Sequence, residues 1–443
     1  MSTLLEGRLE SRLEDGKPLY SHAEAIAEAN RCLYCADAPC VQACPTGIDI
    51  PTFIHKIASD NVKGAARTIF ADNLLGYSCA RVCPVEVLCA GSCVYNHWDR
   101  EPIQIGKLQR YATESALAKD SALLARARKA KNGRKAACVG GGPASLAAAG
   151  HLALEGWSVT IFEQRPWAGG LNTTGVAPYK LHAEDSLREI EMILGLGDIE
   201  IRTGVEIVAG QAKQGQVSAS SLLRDYDAVF LGLGLGPDTY LEIEGEDGPG
   251  VVGATAFIER LKLDPGLSIE GVERALIVGG GNTAIDVARE LARLGVRDVA
   301  MVYRRGAEVM SGYVHELEAA RIDKVRLVEH RRPVKVERDA SGNVMGLRVE
   351  ATNGSKSQET LSCDLIALAI GQSRLTALAA AFAGVELDDK GRVIVDEATC
   401  RTGNPKVYAG GDCVNGGKEV VNAAQHGKLA ARALCAAFGS VGG

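Results

Sequence analysis

The tightest constraint on the fold is a pattern that occurs twice. Residues Ala136 to Glu163 (AACVGGGPASLAAAGHLALEGWSVTIFE) parallel Ala275 to Arg305 (ALIVGGGNTAIDVARELARLGVRDVAMVYRR). Each reads as a strand, a glycine turn, a helix closed by a glycine (Gly156 or Gly295) and a second strand. Gly140 and Gly142, and again Gly279 and Gly281, let the backbone turn tightly so that a pyrophosphate can approach the positive end of the helix. Ser145 and Ala284 fill the third place and are small enough to keep helix and strand close. One such turn is weak evidence. Two in strand–turn–helix context predict an α/β fold with two nested Rossmann-like dinucleotide-binding domains. Fifty-one glycines in 443 residues, with only 5% aromatics, suit a chain built on tight turns.

The ends of the second strands differ. The first copy ends on Glu163, placed to accept hydrogen bonds from both ribose hydroxyls of an adenosine, which suits FAD or NAD. The second ends on Arg304 and Arg305, where a guanidinium fork could grip a 2′-phosphate, which suits NADP. The bland alternative is a pair of surface charges at a strand end. Near the C-terminus, KVYAGGDC places Asp412 at a strand end, with a helix from Val420 aimed toward a flavin ring. A turn aspartate capping a helix is the competing reading. The expected architecture is an FAD domain (131–237 and 366–443) interrupted by an NAD(P) domain (238–365), with Ala367 to Gly371 as the strand crossing between them.

Residues 1–130 differ in kind. Eight of the thirteen cysteines fall between Cys32 and Cys93, in a stretch of helical periodicity such as Ile50 to Phe70. The basic stretch Ala116 to Lys135 reads as a helix running into a boundary loop. The cysteine spacings are Cys32-x2-Cys35-x4-Cys40-x3-Cys44-Pro45 and Cys79-x3-Cys83-Pro84-x4-Cys89-x3-Cys93. The first echoes the ferredoxin run, in which three cysteines hold one cluster and the fourth serves another. Structural zinc favours paired Cys-x2-Cys knuckles, and the second set has none, so an α-helical domain with two [4Fe–4S] clusters is expected. Spacing alone would enlist Cys79 as the eighth ligand.

A net charge of −6 argues against a nucleic-acid surface. No apolar run reaches the roughly 18–20 residues of a membrane span, and the charged N-terminus lacks a signal-peptide core. A cytoplasmic location is expected, where clustered cysteines are ligands more often than disulfides.

CLYCADAPCVQACPTGIDIPTFI, FADNLLGYSCARVCP and IQIGKLQRYA resemble the NAD(P)H-oxidising part of the dihydropyrimidine dehydrogenase family, both as an N-terminal region and as a separate bacterial subunit. The small subunit of glutamate synthase and the large subunit of NADH-dependent ferredoxin:NADP oxidoreductase are more distant resemblances. The resemblance runs from about Cys32 to the C-terminus. It implies one cluster on Cys32, Cys35, Cys40 and Cys93, and another on Cys44, Cys83, Cys89 and Gln109, with the cysteine matching Cys79 not a ligand. For FAD it implies Gly140, Gly141, Gly142, Pro143, Ala144, Glu163, Gly169, Gly170, Leu171, Lys180 (where the family has arginine), Ile207, Gly411 and Asp412. For the nicotinamide nucleotide it implies Gly280, Gly281, Asn282, Thr283, Arg304 with Arg305 beside it, and Ala369 to Gly371. Ser311 stands where the NADP-linked enzyme has a further arginine. The family's pyrimidine chemistry sits on an FMN-binding barrel that these 443 residues leave no room for. The resemblance therefore implies a partner: an FMN/iron–sulfur subunit that reduces uracil or thymine. Hydride transfer needs a stacked nicotinamide and flavin, not a side-chain acid or base, so no catalytic side chain is expected.

Overall fold

The computed structural model describes residues 4–118 and 128–439. Up to Ala118 every regular element among the described residues is helical. The periodic run Ile50 to Phe70 is two helices, Ile50–Ala58 and Val62–Asp72. Asp60, at φ +58°, breaks the run, and Asn61 caps the second helix by accepting from the Gly64 N–H at 2.9 Å. Both helices bury their apolar stripe, Phe53, Ile54 and Ile57 against Ala65 and Ile69. The helix expected from Ala116 is the end of Ile105–Leu117; residues 119–127 lie outside the described residues, and 128–134 carry no regular element.

The strands in chain order are β1 (Lys135–Val139), β2 (Ser158–Glu163), β3 (Asp198–Thr203), β4 (Glu206–Val208), β5 (Gln216–Ser218), β6 (Ala228–Leu231), β7 (Val251–Gly253), β8 (Arg274–Val278), β9 (Asp298–Val302), β10 (Arg326–Val328), β11 (Arg331–Arg338), β12 (Val344–Ala351), β13 (Gln358–Ser362), β14 (Leu365–Leu368) and β15 (Val407–Ala409). They build two five-stranded parallel sheets, ordered β15-β6-β1-β2-β3 and β10-β9-β8-β14-β7. Read from the centre outward, β1, β2 and β3 correspond to β8, β9 and β10, and β6 corresponds to β14. The registers match too: Val139 pairs with Phe162 as Val278 pairs with Val302. Central strands buried on both faces, such as CV in β1 and LIV in β8, are what helices on either side of a parallel sheet require.

Two features were not foreseen. An antiparallel sheet, β11-β12-β13, is inserted before β14, and its Val336, Leu347 and Val349 cover Leu276, Val278 and Ile366 on one face of the second sheet. And β14 pairs with both β7 and β8, so the chain leaves the second sheet after Leu368, not at residue 366.

Two buried groups dock the helical part on the first sheet's unit. The Glu189 carboxylate accepts from the Tyr77 and Ser78 N–H groups at 2.9 and 3.1 Å and from the Ser78 hydroxyl. Lys428 Nζ donates to the Thr46 carbonyl at 2.9 Å and to Asp72 Oδ1 at 2.9 Å.

Candidate flavin cavity, nucleotide turn and cysteine sets

A cavity of about 690 Å³ opens beyond the C-terminal ends of β1 and β2, the crevice where doubly wound sheets bind ligands. Its volume falls in the roughly 300–1,000 Å³ range of cofactor pockets. Gly140, Gly141, Gly142, Pro143, Ala144, Glu163, Gly170, Leu171, Lys180, Ile207, Gly411 and Asp412 all line it. Gly169 does not, but its N–H holds the Gly141 carbonyl at 2.8 Å and so shapes the turn from behind. Gly140 sits at φ +90°, and a Cβ there would lie 2.4 Å from the Gly232 carbonyl oxygen, so only glycine fits. Gly142 caps the helix Pro143–Leu154 with no side-chain bond, which leaves the helix N–H groups for a pyrophosphate.

Glu163 is buried, with one oxygen on the Gly141 N–H (2.7 Å) and the other on the Arg165 N–H (2.8 Å). Each oxygen keeps a lone pair for a ribose hydroxyl. Among the described residues the Asp412 carboxylate accepts only from the Lys418 N–H, at 3.2 Å, and burial raises its carboxyl pKa. A half-buried, under-bonded carboxylate on the cavity wall fits a polyhydroxyl chain. Lys180 is held by Asp286 (2.8 Å) and Glu316 (2.7 Å); burial opposes its charge, but the two carboxylates outweigh burial and raise its pKa. The cradle fits an FAD.

The second turn repeats the first in its backbone. Gly279 sits at φ +148°, and a Cβ there would lie 2.4 Å from the Ala369 carbonyl oxygen. The Gly312 N–H holds the Gly280 carbonyl at 3.0 Å, as Gly169 holds Gly141. Gly281 caps the helix Asn282–Arg293. Gly280, Gly281, Thr283, Ala369 and Gly371 lie outside the flavin cavity, and only Asn282 of this turn reaches its wall. The two arginines part company: Arg305 donates to the Tyr303 hydroxyl at 2.7 Å, whereas Arg304 is exposed with no ion pair among the described residues. Ser311 Oγ would lie 3.4 Å from a Cβ on Gly281.

The cysteines gather in two groups. Cys32, Cys35, Cys40 and Cys93 line one small cavity walled by Ile50, Ile54, Ile103 and Ile105. Burial, then the nearby Cys32 and Cys93, pushes the Cys40 thiol up to about 12. Cys89 is raised first by burial and then by Cys83 and Cys44. Among the described residues no three of these thiols come within 4.8 Å of one another. Tetrahedral zinc would draw its sulfurs to roughly 3.8 Å, closer than any three of these thiols stand. Gln109 is buried, its Nε2 donating to the Gly76 carbonyl at 2.8 Å, and Cys79 is buried against Cys83 of the second group.

Cys83 is the junction. Its neighbours Val82 and Pro84 line the flavin cavity, together with Tyr313 and Glu419, which sequence reasoning missed. Glu419 immediately precedes the helix Val420–Phe438, which begins where expected. Tyr313 carried no signal, because its relation to Glu419 spans 106 residues.

A glycine-cradled flavin cavity, a second nucleotide turn and paired cysteine groups define an iron–sulfur flavoprotein oxidoreductase. The chain belongs to the pyridine nucleotide-disulphide oxidoreductase family, whose model matches residues 134–427; a model described as dihydropyrimidine dehydrogenase domain II, 4Fe-4S cluster, matches residues 9–121. It is 34% identical to the NAD-dependent dihydropyrimidine dehydrogenase subunit PreT of Salmonella typhimurium, over 95% of this chain and 96% of that one. It is 33% identical to the glutamate synthase [NADPH] small chain of Escherichia coli, over 93% of this chain and 91% of that one. In fold it resembles thioredoxin reductase of T. acidophilum (TM-score 0.55, 20% identity, 69% of this chain and 99% of that one). Mycobacterium tuberculosis FprA in complex with NADPH is a second fold neighbour (TM-score 0.53, 20% identity, 69% and 85%). The chain is an NAD(P)H-dependent oxidoreductase with FAD, a nicotinamide nucleotide and 4Fe-4S clusters as its cofactors. Among the described residues no helix is long and apolar enough to cross a membrane.

Proposed function

We propose that this chain is the electron-input subunit of a cytoplasmic dihydropyrimidine dehydrogenase, working with an FMN/iron–sulfur subunit that reduces uracil or thymine. The observation that carries the reading is the place of Cys83, between two residues of the flavin-cavity wall. FAD supplies the conversion of a two-electron hydride donor into single electrons. The chain's own residues bind, orient and exclude water. Gly140 to Ala144 and Gly169 to Leu171 cradle the pyrophosphate region; Glu163 takes the adenosine ribose, Asp412 with Gly411 the ribityl side, and Lys180 and Ile207 the remaining wall. Gly280 to Thr283 with Ala369 to Gly371 seat the nicotinamide nucleotide, and Arg304 reads its 2′-phosphate.

Cys44, Cys83, Cys89 and Gln109 hold the cluster beside the flavin. Cys32, Cys35, Cys40 and Cys93 hold the other, whose loop exposes Leu33 and Tyr34. The division is a cluster domain over 1–130, an FAD domain over 131–237 and the C-terminal segment, and an NAD(P) domain between them that keeps β14. Identity to the glutamate synthase small chain is nearly equal, so a glutamate synthase large subunit is the second reading. Reconstitution separates them. The chain alone is expected to pass electrons from NADPH to an artificial acceptor without touching uracil, and dihydrouracil is expected only with the FMN subunit. Glutamate formed with a synthase large subunit, and no dihydrouracil, favours the second reading.

A further inference from the structure

One segment of the second unit reaches across to both other units. The Gly312 N–H bonds the Gly280 carbonyl at 3.0 Å, and the Tyr313 N–H bonds Asn282 Oδ1 at 2.9 Å, so Tyr313 is fixed to the nucleotide turn. Its phenol O–H donates to Glu419 Oε1 at 2.7 Å. Glu419 caps the helix Val420–Phe438, and its side chain also takes part in the capping box with Asn422. The Tyr313 ring stacks on His315 (5.6 Å, 9°), and His315 Nε2 lies 3.4 Å from Glu86, between Cys83 and Cys89.

Tyr313, Glu419 and Asn282 share the wall of the flavin cavity with Val82 and Pro84. The Tyr313–Glu419 bond thus links the second turn to the wall of the flavin cavity. We propose that Tyr313 is a clasp in the path of the nicotinamide: its bond to Glu419 closes the flavin end of the cavity in the nucleotide-free protein, and the incoming ring displaces it. This rests on the nucleotide site proposed above. Its consequence is that part of the binding free energy is spent opening the clasp, and apparent affinity falls by the fraction of molecules already open. Tyr313→Phe keeps the ring and removes the bond.

The test uses the FAD-loaded, cluster-containing protein and NADP+, which binds without turnover, followed by the flavin difference spectrum. Tyr313→Phe is expected to bind NADP+ about three- to tenfold more tightly, the range set by one net hydrogen bond. The limiting rate of flavin bleaching by NADPH should stay unchanged, so that KM moves and kcat does not. Glu419→Gln weakens the same bond from the other side; it should tighten binding by a smaller factor and add nothing on top of Tyr313→Phe. If Tyr313→Phe loses its flavin, Glu419→Gln alone decides. Unchanged or weaker NADP+ binding in the variants overturns the clasp while leaving the nucleotide site standing. A wild-type flavin that responds to neither NADP+ nor NAD+ overturns the site, and the clasp with it.

Discussion

The two dinucleotide units share one backbone and differ in what surrounds it. Sheet order, register, the glycine backed against a neighbouring carbonyl, and the N–H that locks the turn from behind are the same in both. The first turn opens into a deep cavity and carries a buried carboxylate, Glu163. The second lies outside that cavity, and its strand ends on an exposed cation, Arg304. Under the function proposed above, the same turn serves a resident cofactor where neighbouring units cover it, and an exchangeable nucleotide where they leave it open. Burial, not the motif, separates the roles.

The sharpest way to break the comparison is to damage each turn in the same manner. Gly140→Val and Gly279→Val each force a Cβ to 2.4 Å from a carbonyl oxygen, at a cost of roughly 2–5 kcal/mol. The first is expected to empty the protein of FAD; the second to keep FAD, by absorbance, but lose bleaching by NADPH. Equal loss of FAD in both would erase the distinction.

Docking of the helical part on the first unit should depend on pH. Burial raises the Glu189 carboxyl from 4.5 to about 7, despite its bonds to Ser78 and Tyr77. The folded state therefore holds a proton that the unfolded chain releases. The associated stability is present below about pH 4.5 and is lost as pH rises through 7, on the order of 3 kcal/mol. Thermal unfolding between pH 5 and 8 measures it, and Glu189→Gln should flatten the slope.

The second unit's exposed cation is worth less. Arg304→Ala should weaken NADPH by about ten- to a hundredfold, or 1.5–3 kcal/mol, and NADH hardly at all. Arg305→Ala should do little to either, because that guanidinium is spent on Tyr303. Steady-state kinetics with both nucleotides check this, and equal or better use of NADH by the unmodified chain would contradict it. The smallest effect on the flavin itself is expected from Gln109→Ala, which should spare flavin bleaching and slow delivery to the partner subunit. If only Cys79→Ala slows delivery, Cys79 is the eighth ligand.

Both glycine turns were legible because each is local, a strand–turn–helix unit that announces its own geometry, whereas the joining of Cys93 to Cys32, Cys35 and Cys40 came from the family resemblance and not from spacing. The twelve residues on the flavin-cavity wall come from matching such segments to a known pattern. What stayed illegible is tertiary. Asp60 and Asn61 break a helical stripe whose apolar period runs on through them. The β11-β12-β13 sheet is half exposed and lacks a strong period. Lys428 meets Thr46 across 382 residues, and Tyr313 meets Glu419 across 106, distances over which one sequence carries no signal.

The most direct measurement is the content of the purified protein after desalting, followed by anaerobic addition of NADPH. One FAD and about eight irons per chain, as two four-iron clusters require, with no retained nicotinamide nucleotide and a flavin that bleaches on NADPH, are the expected result. Stoichiometric zinc without iron, or a nicotinamide nucleotide retained in place of FAD, would contradict it.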